Sequence, residues 1–92
     1  MNNKIILESL SMDLLRIALG LKRGSYKMAE RFSEEALRRK EEVNEKEIKP
    51  YLQQTLIRME DALLASDIEK KAEDALMYST VIRNYCQTFL RN

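Results

Sequence analysis

Turn-forming residues are almost missing from this chain. Its 92 residues hold two glycines, Gly20 and Gly24, and one proline, Pro50. A strand-rich fold needs a Gly, Pro or Asn-Gly signal every few residues to reverse direction, and a sequence so poor in them cannot supply one. Leu, Glu, Lys, Arg, Ala and Met dominate instead, and these residues lose little freedom in a helix. The expected class is therefore all-α, with a single domain over residues 1–92. At this length roughly 60% of the unfolded chain's surface can be buried, so the core is thin and association would enlarge it.

Four helices follow from caps and periodicity. Leu7, Leu10, Leu14, Ile17 and Leu21 recur at spacings of three and four and form one helical seam. Ile6, Met12, Leu15, Ala18 and Leu19 widen it beyond a single face. Gly24 is placed to end this helix in a left-handed conformation, and Ser25 to cap the next, which extends roughly to Glu45. That second helix carries Met28, Ala29, Phe32, Ala36 and Val43 on one side and is otherwise charged. Pro50 forces Lys49 out of helical geometry and suits the first turn of a third helix, about Pro50 to Ala65, with Leu52, Leu56, Met59 and Leu63 at core spacing. Ser66 or Asp67 caps the fourth, whose stripe runs through Ile68, Ala72, Ala75, Ser79, Ile82, Cys86 and Phe89. Short connections predict an antiparallel up-down four-helix bundle, with stacked helical hairpins as the alternative. Glu-acid-Ala-Leu occurs at Glu34, Glu60 and Glu73, but its offsets match no familiar helical repeat.

The first and last helices have more apolar surface than one core can use. As neighbours in an up-down bundle, they would join Met12, Leu15 and Leu19 to Met77, Tyr78, Val81 and Tyr85 in one outer strip. Apolar strips of this size mark interfaces, which points to a homodimer or another helical protein partner. A second candidate surface is the corner "LGLKRGSYKMAERF", where Lys22, Arg23, Lys27 and Arg31 surround Tyr26 and could hold phosphate or nucleic acid. It also reads as a plain helix corner, with cations favoured at a helix C-terminus and Tyr26 closing the core beneath the turn. A second basic cluster, Arg38 to Lys40, is flanked by acids spaced for pairs between Glu34 and Arg38 and between Glu35 and Arg39.

Catalytic chemistry is harder to assemble. There is no histidine, the usual acid or base near neutral pH and a common metal ligand. Cys86 is the lone cysteine, on an apolar stripe, and is expected to be a buried thiol in a reducing compartment. No cofactor is expected. The acidic segment "EEVNE", Glu41 to Glu45, resembles the first half of the Mg-binding pattern of all-helical nucleoside triphosphate pyrophosphohydrolases of the MazG kind. On that resemblance Glu42 and Glu45 would hold the cation. The second half of the pattern needs Glu and Asp three apart, and here the acids are adjacent, as Glu60-Asp61 and Glu73-Asp74. Arg83 resembles the late-helix Arg of the HEPN ribonuclease fold, although "RNYCQTF" lacks the His that should follow. Arg83 otherwise reaches water along its own stem, pairs with Asp13 or Glu8, or faces a partner.

The net charge is +1, with both signs intermixed, which argues against general polyanion binding. Glu8, Ser9, Asp13 and Arg16 interrupt the apolar run from Ile5 to Leu21 and spoil it as a membrane span or signal core. The reading at this level is a complete cytoplasmic helical module acting through association. Nucleic-acid binding at the basic corner is the rival, and Mg-dependent nucleotide hydrolysis a remote one.

Overall fold

Asn2 begins the first helix by accepting a hydrogen bond from the Ile5 amide at 2.9 Å. In the computed structural model, which describes residues 2–90, helix α1 spans Asn3–Lys22. Its predicted seam is the centre of the core: Leu7, Leu10, Leu14 and Ile17 are fully buried. The helix ends in a Schellman motif, with Ser25 N–H donating to Gly20 O at 2.8 Å and Gly24 N–H to Leu21 O at 3.3 Å. Gly24 has a φ of +76°, which a β-carbon disfavours, and a β-carbon there would meet nothing within 4 Å. Gly24→Ala is therefore expected to cost about 1 kcal/mol from the dihedral alone, and Gly24→Asn less. Urea denaturation of the two variants checks this; equal stability of wild type and Gly24→Ala would contradict it.

Helix α2, Tyr26–Glu42, buries Ala29 and Ala36, residues small enough to let it lie close on α1. The two helices come close at Gly20, where an added β-carbon would stand 3.0 Å from Met28 Cε and 3.3 Å from Ala29 Cβ. Ser25 precedes the helix, but its side chain makes no capping bond, contrary to the sequence expectation. The helix also stops earlier than expected. Asn44 accepts from the Lys46 amide and opens a separate 3-10 turn, Glu45–Glu47. Asn3 and Asn44 then exchange hydrogen bonds of 2.9 and 3.0 Å between side chain and backbone, which tie the start of α1 to the end of α2.

Helix α3, Pro50–Leu64, follows Lys49 at a ψ of 148°, the extended conformation proline imposes on its predecessor. Leu52, Leu56 and Met59 are fully buried, and Leu63 nearly so. Asp67 caps helix α4, Ile68–Phe89, through the Lys70 amide; of the two expected caps, it is the one used. Where α1 meets α4, Ser11 Oγ donates to Ser79 O at 2.9 Å and Ser79 Oγ to Ser11 O at 2.8 Å. Two small hydroxyl side chains thus satisfy themselves inside the core without a wider helix spacing.

The described residues are all-helical and contain no strand. The Cα radius of gyration is 12.4 Å, close to the roughly 12 Å of a folded chain of this length. Helix α1 packs extensively on α2 and α4, and α3 packs on α4, whereas α2 and α3 meet only sparsely. That thin seam is bridged by Lys40 Nζ and Glu60 Oε1 at 3.1 Å. No helix is long and apolar enough to cross a membrane among the described residues.

Candidate functional site

On α1 the side turned away from its neighbours carries Ile5, Met12 and Leu19, 48%, 46% and 40% exposed. Residues seven apart lie almost in line along a helix, so these three form a narrow apolar line about 21 Å long at 1.5 Å per residue. Leu15 lies half-buried beside it. The α1 half of the expected strip, Met12, Leu15 and Leu19, thus stands together, and Ile5 extends it.

The α4 half does not assemble as expected. Met77 is exposed and Val81 half-buried, but Tyr78 turns toward α3, where it lines a shallow cleft with Arg58, Asp61 and Ala62. Tyr85 is only 3% exposed. Its hydroxyl accepts from the Lys49 amide at 3.0 Å, and its ring meets Tyr51 edge-on at 5.8 Å between centroids and Phe89 at 5.1 Å. Tyr85 is a core residue that secures the start of α3, which corrects its assignment to an outer contact strip. The cause is angular: α3 occupies the side of α4 bearing Tyr78 and Tyr85, whereas α1 occupies the side bearing Ser79. Leu76, which sequence reasoning passed over, is exposed and lies about 200° around α4 from Tyr78.

At the basic corner Lys22, Arg23, Lys27 and Arg31 are all exposed and form no ion pair among the described residues. Tyr26 does not close the core beneath the turn. It is 54% exposed and lines a groove with Glu30, Glu34, Leu64 and Ile68. The ring thus stands among apolar residues with charges of both signs, Lys22 and Lys71 beside the acids.

The Arg38 to Lys40 cluster reaches in three directions. Arg38 pairs with Glu35, Arg39 Nε donates to Asp13 Oδ2 at 2.7 Å, and Lys40 reaches Glu60 on α3. The expected pair of Glu35 with Arg39 is present at 3.8 Å, but Glu34 turns to the groove instead of to Arg38. Arg39 also takes the carboxylate proposed for Arg83, which is exposed to solvent. Arg16 leans over the Phe32 ring at 5.3 Å.

The acids of the MazG-like segment are divided, because α2 ends at Glu42 and Glu45 belongs to the 3-10 turn. Among the described residues no group of three or more Asp, Glu, His or Cys is placed to hold a metal. Cys86 is buried, and desolvation pushes its pKa up to about 11. Its thiolate is scarce at neutral pH, so labelling by a disulfide reagent is expected to proceed only as fast as the protein unfolds. Immediate labelling of the native protein would show the thiol to be accessible.

Comparison with known proteins adds no relationship: no family model, curated protein or solved structure matches the chain.

Proposed function

We propose that the protein is an antiparallel up-down four-helix bundle that works in the cytoplasm as a self-association module, by binding and not by catalysis. The observation that carries this reading is the line of Ile5, Met12 and Leu19 on the outer side of α1. A helix needs one apolar face to join its own core, and here the opposite side keeps a second series at heptad spacing, the pattern of a helix with another helix to meet. A second copy offering the same line across a two-fold axis is its simplest partner, with Leu15 and Met77 at the margins.

Light scattering over a dilution series tests it. The expected mass is twice the 10.8 kDa of one chain. Met12→Glu with Leu19→Glu should return one chain mass at unchanged helical circular dichroism, since both side chains are already solvent-exposed. A wild-type monomer at every concentration, or a dimer indifferent to both substitutions, would end the proposal.

The unpaired cations Lys22, Arg23, Lys27 and Arg31 support nucleic-acid binding as a second reading. Reversing Lys22, Arg23 and Lys27 to Glu should abolish salt-sensitive binding of RNA or DNA if that reading holds and leave the association untouched if it does not.

A further inference from the structure

The sparse seam between α2 and α3 leaves a groove that the self-association surface does not use. Its floor is formed by Leu21, Tyr26, Ala29, Leu37, Leu64 and Ile68, in a recess of about 400 Å³. A second recess of about 370 Å³ shares Leu21, Tyr26 and Ile68 and prolongs it toward Ala72 on α4. Leu64 is 69% exposed and Ile68 44%, so the two residues on either side of the α3–α4 connection both hold apolar surface to water.

The rim has a definite sign. Glu30 and Glu34 stand along the α2 side and Glu69 and Glu73 along the α4 side, against Lys22 and Lys71. Elsewhere Asp13, Glu35, Glu60 and Asp74 each have a basic group within 4 Å, but none of these four rim carboxylates has one among the described residues. The recess is thus an elongated trough with an apolar floor, whose rim holds four carboxylates against two lysines.

We infer that this trough docks an amphipathic helix of another protein, one with an apolar stripe flanked by Lys and Arg. Leu-sized anchors at helical spacing fill the two recesses, and the flanking cations meet Glu30 and Glu34 on one edge and Glu69 and Glu73 on the other. A second copy of this chain is a poorer occupant, because Glu8 and Arg16 give its own exposed stripe on α1 no basic excess.

Two synthetic peptides test the inference. Both carry the same Leu/Ala stripe on a helix of about four turns; one is flanked by Lys and the other by Glu. Fluorescence anisotropy of the labelled peptides should show the Lys-flanked one binding at least tenfold tighter, with affinity that falls as salt is raised. Leu64→Glu should abolish that binding, and Glu30→Lys with Glu34→Lys should lower it at least tenfold, whereas Met12→Glu should leave it unchanged. These substituted residues are exposed, so circular dichroism should match wild type. Failure of the Lys-flanked peptide to bind, equal binding of both peptides, or indifference to Leu64→Glu would overturn the inference. So would loss of the dimer on Leu64→Glu, which would assign the trough to a second copy.

Discussion

Leu56→Ala is expected to remove about 3 kcal/mol of stability, within the 2–5 kcal/mol range of buried leucine truncations, and to lower Tm by at least about 10 °C. Leu56 is fully buried in α3, the helix with the fewest ties to the rest of the molecule: it packs on α4 less extensively than α1 does, and barely on α2. Leu52, Leu56 and Met59 are therefore most of what holds it, because its first turn has no side-chain cap and relies on Tyr85 for the Lys49 amide. Domains of this size have roughly 5–15 kcal/mol in all, so one truncation removes a large share. Leu64→Ala, on the same helix but at an exposed site, should fall within about 0.5 kcal/mol of wild type. Chemical denaturation of both variants decides the matter. A cost below about 1 kcal/mol at Leu56 would mean that α3 docks loosely and that the core is supplied by α1, α2 and α4.

Periodicity made the core positions legible, since burial rewards one helical face and Leu7, Leu10, Leu14 and Ile17 could lie nowhere else once α1 formed. Caps made most boundaries legible too, as at Gly24, Pro50 and Asp67. The orientation of α4 was not legible. Its second half is apolar on several sides, and only the placement of α3 decides that Tyr85 goes inward and Leu76 outward. The groove escaped for a related reason: Leu21 and Ile68 fit core stripes in sequence, but where α2 and α3 scarcely meet Leu21 is only half-buried and Ile68 exposed, and both line the groove. The Arg38 to Lys40 cluster shows the limit of local charge rules. Spacing along one helix suggested pairs within α2, and Glu35 does reach Arg39, but Asp13 from α1 holds Arg39 more closely and Glu60 from α3 takes Lys40.

Asp13→Lys is expected to cost at least about 3 kcal/mol, as breaking a buried ion pair does. The Asp13 carboxyl is almost fully enclosed between α1 and α2, accepts from Arg39 at 2.7 Å and has Arg16 at 3.8 Å. A lysine there would place a third cation against two guanidinium groups. Asp13→Asn should do far less, because an amide oxygen can still accept from Arg39, and its pH dependence separates charge from geometry. Burial raises the Asp13 pKa above 3.8, the hydrogen bond and charge of Arg39 pull it down, and Glu35 adds to the rise; the net direction is upward. A carboxyl with a raised folded-state pKa binds its proton more tightly when folded. Its contribution to stability is fully present below 3.8 and is lost as pH climbs through the raised value. Asparagine has no such loss, so Asp13→Asn should compare more favourably with wild type at neutral pH than below pH 3.8. Urea denaturation of both proteins at the two pH values measures that difference, in which the other titrating groups cancel. A variant that instead loses ground toward neutral pH would show that the charge of Arg39 outweighs desolvation and that the ionised pair stabilises the contact between α1 and α2.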